Sequence, residues 1–382
     1  MEDLFVADLL LQATEDGDTC SFCGEQDGAP LDELLEAVEV GLLLHYETAS
    51  NAGVGWEGGW TSATMDTWDV VAELVSDGGF DDEVAEALPP LFHDEAWVHR
   101  GDPFLPPGGM LTAGWRRFVE HVKHRSRFLL APDDGSSEEA LDSGWAPGQM
   151  LEKLAKVVDE FCVTQWPAGK LVYRARAFED TPFDHAHELA APPPEKARQG
   201  RMNPAGISMF YGATDPQTAA AEVFDGRRYA AVAAFETLRP LDIVDLADLP
   251  TASVFNPDDA QRVHLLGFLA GFAREISRPI ARDDRVHFEY TPTQIFTEYM
   301  RFRVPLPEAP VDGIAFRSAQ WQDGLNVVLF TGPDGCLGDH QRVADELRDE
   351  DQILRLVDEG YDVYEYAAPA SQFLRPFRFA QG

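Results

Sequence analysis

Lysine and arginine are absent from the first 99 residues of this 382-residue chain, although 24 aspartates and glutamates occur there. Over the whole chain 30 basic residues stand against 67 acidic ones, a formal net charge of −37. Such a charge opposes non-specific binding to DNA, RNA or anionic lipid, so we expect neither a nucleic acid nor a membrane as partner. A phosphate-bearing ligand therefore has to be bound by a few local arginines.

Long apolar runs and a secretory signal are also missing. No apolar run approaches the roughly 18 residues of a membrane span, and the N-terminus lacks a basic segment followed by an apolar core. We therefore expect a cytoplasmic protein. The four cysteines are too few for a disulfide scaffold. Cys20 and Cys23 have the spacing of zinc ligands, but no second pair completes a set of four, so we expect no metal site.

The two halves of the chain differ in charge and in periodicity. The net charge is −26 up to residue 165 and −11 beyond it. Helical spacing of apolar residues predicts helices near 31–42, 66–75, 81–88, 114–127 and 148–162. Short apolar segments then predict strands at 170–178, 206–211, 229–235, 241–244, 311–316 and 326–330, with helices at 257–276 and 291–302 between them. We predict an acidic helical domain over 1–165 and an α+β domain over 166–382.

Polar residues mark each junction of one strand, turn and helix in the second half. Residues 203–206 have the composition of a tight turn, and the strand predicted at 206–211 follows it. Asp215 is a good N-cap and Pro216 suits the first position of a helix. That helix carries Glu222 about two turns from its start.

Four ordered motifs of the second half resemble the RES domain, a family named for an arginine, a glutamate and a serine. The matching motifs are Val172-Tyr173-Arg174, residues 200–206, Tyr211 with Glu222 eleven residues later, and residues 313–318, which end in Ser318. Met202 stands where the family usually has tryptophan, and Phe316 where a tyrosine is common near the serine. The four motifs together cover roughly residues 170–330.

The resemblance implies a fold similar to that of ADP-ribosyltransferases, with a split β-sheet, and a toxin that degrades NAD by phosphorolysis or hydrolysis. NAD would be the substrate, inorganic phosphate a co-substrate, and an antitoxin protein a partner, with no further cofactor. The catalytic residues implied are Arg174, Tyr211, Glu222 and Ser318. The ligand-binding residues implied are Gly200, Arg201 and Asn203.

These residue types fit the chemistry that the resemblance implies. Cleavage of the nicotinamide–ribose bond develops positive charge on the ribose, which the carboxylate of Glu222 would stabilise. The pyrophosphate needs a planar donor fork, which Arg174 would supply with Arg201 in support. Tyr211 can cover or hydrogen-bond the ribose. Ser318 can donate to a phosphate or orient the attacking nucleophile.

Two other functions stay open. Arg116 with His121, and Arg117 with His124, lie on the helix predicted at 114–127 and are similar to the Arg-x4–6-His signature of HEPN ribonucleases. HEPN domains are helical and do occur in front of RES domains, so a nuclease acting through these residues is one alternative. A non-catalytic nucleotide- or antitoxin-binding module is the other. The acidity of the first half disfavours the nuclease, because RNA would be repelled.

Overall fold

The computed structural model of the protein describes residues 4–14, 19, 24, 29–100, 108–128, 130, 145–224, 226–278, 286–302, 310–338, 352–358, 360–366 and 377–379. The chain divides into two compact units. The first comprises Met1–Gly114, Leu141–Gly144 and Pro250–Phe268, and the second comprises Trp115–Ala140, Trp145–Leu249 and Leu269–Gly382. The domain boundary after residue 165 stays a prediction, since each unit combines segments that are not contiguous in sequence.

The helices agree closely with the periodicity of the sequence. They are α1 (Leu4–Ala13), α2 (Leu31–His45), α3 (Thr67–Asp77), α4 (Asp82–Ala87), α5 (Gly109–His124), α6 (Pro147–Phe161), α7 (Pro216–Glu222), α8 (Arg262–Ser277), α9 (Val286–Glu289) and α10 (Thr291–Phe302). Every predicted helix is confirmed, and α1 and α9 are additional. Within the described ranges, no helix has the length and apolarity needed to cross a membrane.

The strands fall into two sheets. They are β1 (Tyr46–Thr48), β2 (Met65–Asp66), β3 (Ala96–His99), β4 (Val163–Trp166), β5 (Leu171–Phe178), β6 (Phe210–Ala213), β7 (Tyr229–Thr237), β8 (Leu241–Asp245), β9 (Gly313–Arg317), β10 (Leu325–Leu329), β11 (Cys336–Leu337), β12 (Leu354–Leu356), β13 (Tyr361–Glu365) and β14 (Phe377–Phe379). The first three form a small sheet in the order β1-β3-β2, and the others form one large sheet.

The first unit is mainly helical, as predicted. The apolar faces of α2 and α3 pack around Phe255, which lies in the segment that returns to this unit. Gly41 and Gly78 make room for that ring. A Cβ atom would lie 2.7 Å from the ring at position 41 and 2.5 Å from it at position 78. The small sheet is absent from the sequence prediction because strands of two to four residues leave no detectable alternation.

The second unit is built on the large sheet. Its strand order is β11-β12-β7-β5-β6-β10-β9-β8-β4, with β13 also pairing with β7. The pairs are antiparallel except β8 with β9 and β11 with β12. One face carries the larger apolar core and the opposite face receives α7 through Ala219 and Ala220. The α+β fold class, with a helical region followed by a sheet domain, is confirmed.

One predicted strand is displaced along the chain. The segment predicted at 206–211 forms a strand only over Phe210–Ala213. The amide of Ile207 donates to the carbonyl of Pro204, so the turn spans 204–207, one residue later than predicted. Gly206 at its third position has a φ of +88°, which glycine adopts without strain. The carbonyl of Ile207 is also held by Asn203, which delays the start of the strand.

Candidate active site

The large sheet opens between β5 and β6. Strand β5 pairs with β7 along its whole length, but it pairs with β6 only at Tyr173 and Ala213. Gly212 permits that close approach, since a Cβ atom there would lie 2.8 Å from the carbonyl oxygen of Tyr173. Beyond this point the strands separate around a cavity of about 1260 Å³, lined by residues 174–177 of β5 and by Tyr211 of β6. A split sheet of this kind leaves strand edges that a ligand can reach.

Arg174 lies at the split and is 9% exposed. Its Nη1 donates to the backbone oxygen of Tyr211 over 2.7 Å, so the side chain bridges the gap where the ladder of hydrogen bonds stops. Its Nε is buried and has no hydrogen-bond partner among the described residues. Burial, together with the charge of Arg176, lowers the pKa of Arg174 to about 10. The guanidinium is therefore charged at neutral pH. Its Nη1 is held by the backbone of Tyr211, whereas its Nε has no hydrogen-bond partner among the described residues.

Glu222 ends α7 and also lines the cavity. Its Oε1 accepts hydrogen bonds from the hydroxyl of Ser318 over 2.5 Å and from Nδ2 of Asn326 over 2.7 Å. The Oγ of Ser318 in turn accepts from the amides of Gln320 and Trp321, which hold the turn after β9. Oε2 of Glu222 has no hydrogen-bond partner in the described residues. One oxygen thus fixes the carboxylate, and the other can accept from a ligand.

The local sequence explains how α7 positions Glu222. Asp215 caps the helix, accepting from the amide and the hydroxyl of Thr218. Thr218 is buried beside Gly324, where a Cβ atom would lie 2.4 Å from the threonine Oγ1. Gly324 belongs to the turn that connects Ser318 to β10. The contact between Thr218 and Gly324 therefore packs the first turn of α7 against the same turn whose Ser318 binds Glu222, the last residue of α7.

Residues 200–203, with the sequence Gly-Arg-Met-Asn, form a turn that is organised around Tyr211. The tyrosine hydroxyl donates to Oδ1 of Asn203 over 2.6 Å and accepts from the amide of Met202 over 3.1 Å. Asn203 is 2% exposed, and its Nδ2 donates to three backbone oxygens. A Cβ atom at Gly200 would lie 2.5 Å from the tyrosine hydroxyl, so only glycine fits there. Burial raises the pKa of Tyr211, which keeps the hydroxyl protonated and able to donate.

Helix α10 holds the same turn from the other side. Gln294 donates to the backbone oxygens of Gly200 and Asn203, over 2.7 and 3.0 Å. Thr293 donates to the backbone oxygen of Arg201 over 2.6 Å. The sequence predicted the helix but did not single out these two side chains.

Arg201 is directed at the end of another helix. Its Nη1 donates to the backbone oxygen of Ile276, in the last turn of α8, where cations are favourable. Burial lowers the pKa of the guanidinium, while Tyr290 and Glu222 act in the opposite direction. Arg201 also lines the cavity, so its charge contributes to the site even though one of its donors caps a helix.

The cavity is cationic although the chain is acidic. Its charged lining residues are Arg174, Arg176, Lys196, Arg198, Arg201 and Arg227, with Glu188 and Glu222 as the acids. A local excess of cations in a protein of net charge −37 favours an anionic ligand in this cavity. Six of the seven predicted site residues line the cavity. Ser318 does not line it and reaches the site through Glu222.

The candidate nuclease residues lie on α5. Arg116 is exposed, whereas Nε2 of His121 is buried without a hydrogen-bond partner in the described ranges. His124 stands 3.9 Å from Glu120.

Among the described residues, no three His, Cys, Asp or Glu side chains are arranged to bind a metal. Cys20 and Cys23 lie outside the described residues.

The site combines a split sheet of an α+β fold, a cationic cavity and a carboxylate fixed by two donors. Comparison with family models identifies residues 171–354 as a RES domain and residues 13–135 as a HEPN/RES N-terminal domain 1. The chain therefore carries a RES domain that follows a HEPN-like N-terminal domain. Neither a curated protein nor a solved structure matches it. At the level of the family, the RES domain supports a toxin-like function related to NAD.

Proposed function

We propose that this protein cleaves the bond between nicotinamide and ribose in NAD. The observation that carries the proposal is the Glu222 carboxylate, which is fixed through Oε1 and faces a cationic cavity with Oε2 uncommitted. A carboxylate held in this way can accept hydrogen bonds from the hydroxyls of the nicotinamide ribose. No rearrangement of the carboxylate is then needed as the reaction proceeds.

Arg174 supplies the contact to the pyrophosphate. Its bond to the backbone of Tyr211 orients the guanidinium, and its buried Nε has no partner among the described residues. A guanidinium binds phosphate through parallel N–H groups, so the unsatisfied edge suits that ligand. Tyr211 also lines the cavity and can cover the ribose, while its hydroxyl donates to Asn203.

The reaction needs stabilisation of the sugar more than activation of the leaving group. When the glycosidic bond breaks, its electron pair moves to the nicotinamide nitrogen, which leaves as a neutral pyridine without taking up a proton. Positive charge moves onto the ribose, where Glu222 stabilises the transition state more than the ground state. Water, which loses a proton to the solvent, or inorganic phosphate then bonds to the ribose carbon that carried the nicotinamide, giving ADP-ribose or its phosphate ester. Ser318 and Asn326 are positioning residues, because they act through Glu222.

NAD is a substrate in this scheme, and no further cofactor takes part. Water and phosphate differ only in the nucleophile that follows the common bond-breaking step. We also propose a protein antitoxin as the partner, as membership of the RES family suggests. The HEPN-like domain has no part in the chemistry proposed here.

The test is release of nicotinamide from NAD by the purified full-length protein, with and without inorganic phosphate. We expect release by the wild-type protein and none by Glu222→Gln. Faster release in phosphate, with a phosphorylated ADP-ribose product, would identify phosphorolysis, and ADP-ribose alone would identify hydrolysis. Binding of NAD without any release, even with protein in excess, would contradict the proposal and leave a nucleotide-binding module.

A further inference from the structure

A second arginine stands next to Arg174 on β5. Arg176 lies two residues further along the strand, so both side chains project from the same face, and both line the cavity. Their partners on β7 are Ala233 and Ala231, whose small side chains leave room beneath the two guanidinium groups.

Neither arginine is neutralised by a carboxylate. Arg174 makes one hydrogen bond, to the backbone of Tyr211, and Arg176 makes one long hydrogen bond, 3.4 Å to the backbone oxygen of Ala190. Neither forms an ion pair within the described part of the chain. Glu188 is the acid whose charge acts on Arg176, and it opposes the effect of burial, which lowers the pKa of Arg176.

Two adjacent, largely buried cations are costly without a counter-charge. Desolvation disfavours each guanidinium, and the charge of Arg176 adds to the lowering of the pKa of Arg174. The fold holds them together at the wall of a cavity, with a donor of Arg174 unsatisfied. A ligand that brings two negative groups would satisfy both arginines at once.

We infer that Arg176 is the second arginine of a diphosphate subsite, in which Arg174 and Arg176 each bind one phosphate group. The inference rests on the proposed function for the identity of the ligand. Residues two apart on a strand have Cα atoms about 6.6 Å apart, and long flexible side chains can converge from that spacing onto neighbouring phosphates. Tyr173, just before Arg174, pairs with Ala213, which lies opposite Asn326. Asn326 donates to Glu222, so Arg174 is the nearer of the two arginines to the ribose site and takes the phosphate next to the nicotinamide ribose. Arg176 takes the phosphate next to the adenosine.

The subsite makes the protein selective for diphosphates. ADP and ADP-ribose carry both phosphate groups and engage both arginines. Nicotinamide mononucleotide carries only the phosphate assigned to Arg174, so its affinity should not depend on Arg176. This selectivity can be measured without any cleavage of NAD.

The experiment is calorimetric binding of ADP-ribose, ADP and nicotinamide mononucleotide to the full-length protein. We expect Arg176→Gln to weaken binding of ADP-ribose and ADP by about tenfold to a hundredfold, the range of a charge-assisted hydrogen-bonded contact. Binding of nicotinamide mononucleotide should change by no more than about twofold. Arg176→Lys keeps the charge and loses the planar fork, so an intermediate loss is expected, and it is the variant to use if Arg176→Gln does not fold.

Arg198→Gln is the matched control, because it removes one positive charge from the exposed lining of the same cavity. It should affect the three ligands equally and weakly. An unchanged affinity for ADP-ribose in both Arg176 variants would overturn the inference. So would equal losses for ADP and nicotinamide mononucleotide, equal effects of Arg198→Gln and Arg176→Gln, or no binding of ADP by the wild-type protein. Binding that follows the expected pattern in a protein that does not cleave NAD would contradict only the proposed function.

Discussion

The hydroxyl of Ser318 donates a 2.5 Å hydrogen bond to Oε1 of Glu222, across 96 residues of sequence. Asn326 donates to the same oxygen from the neighbouring strand. The serine also accepts two backbone amides of its own turn, so its proton is directed at the carboxylate. The serine and the glutamate of the motif are therefore joined directly, and the serine orients the carboxylate to which the proposed reaction assigns the charge.

Glu222→Gln should retain the fold and lose activity. The amide oxygen can still accept from Ser318 and Asn326, but the negative charge that stabilises the cationic ribose is gone. We expect the rate of nicotinamide release to fall by at least about a hundredfold, which is the scale for loss of one transition-state electrostatic contact. ADP-ribose binding, measured by calorimetry, should stay within a few-fold. Near wild-type turnover would contradict the role given to Glu222.

Ser318→Ala and Asn326→Ala should each lower kcat while leaving KM nearly unchanged. Each removes one of the two donors to Oε1, so the carboxylate stays charged and becomes less well oriented. The expected loss is about tenfold, corresponding to a hydrogen bond to a charged group, and smaller than that for Glu222→Gln. Steady-state kinetics on NAD provide the measurement. A rise in KM with unchanged kcat would instead indicate that these residues contact the substrate.

Arg174→Lys should weaken binding of ADP-ribose although the charge is retained. A lysine ammonium can donate to the backbone oxygen of Tyr211 but cannot also present a planar edge to a phosphate. We expect a loss of about 1.5–3 kcal/mol in binding free energy. Calorimetry with the full-length protein measures it, and unchanged affinity would move phosphate recognition to Arg201.

Gly200→Ala should destabilise the second unit. The new Cβ would lie 2.5 Å from the hydroxyl of Tyr211 and 2.6 Å from Oδ1 of Asn203, so the turn would have to move. We expect a loss of about 1–3 kcal/mol in the free energy of unfolding, as for overpacked sites. In urea unfolding, the loss should shrink in the Tyr211→Phe background, where the clashing oxygen is absent.

Gly271→Ala is the control for that substitution. Gly271 lies in α8, also in the second unit, and nothing lies within 4 Å of the position of its Cβ. Alanine should be neutral there or stabilise the helix by up to about 1 kcal/mol. Equal losses for the two variants would show that the packing around Gly200 has no special role.

Acid should destabilise the first unit through a pair of histidines. Nδ1 of His45 and Nε2 of His264 are 3.0 Å apart, and burial, followed by the charges of His45 and His99, lowers the pKa of His264 to about 4. Burial also lowers the pKa of His45, while Asp77 opposes that effect. In the unfolded chain both histidines take up protons near pH 6.5, before they do so in the folded protein. The stability they contribute is therefore present above about pH 6.5 and lost as the pH falls towards 4.

Thermal unfolding between pH 7.5 and 4.5 tests this dependence. His264→Asn should flatten the loss of Tm for the transition of the first unit over that range. The exposed His187, in the second unit, provides a control whose replacement by asparagine should leave the pH dependence unchanged. If His264→Asn and the wild-type protein lose stability in parallel, the histidine pair is not the cause.

Local patterns predicted much of the fold. Strand β5 and helix α10 lie where apolar spacing and turn residues place them, and α7 begins at the predicted cap and proline. The sequence predicts a strand over 326–330 but gives no sign that the side chain of Asn326 belongs to the site. Its role depends on the register that places it opposite Phe316 of β9 and Ala213 of β6, which no local pattern specifies.

The sequence by itself determined the acidity of the chain, the order of its elements, and the four motifs that relate it to RES domains. These properties depend on residue type and on spacing within a few turns or strands. Only the tertiary structure decided that β5 and β6 separate after Tyr173, that Ser318 donates to Glu222, and that Arg174 and Arg176 share a cavity wall without an ion pair to any described residue. Those relationships join residues that are distant in sequence or depend on what surrounds them. Burial, strand register and hydrogen-bond geometry exist only once the chain has folded.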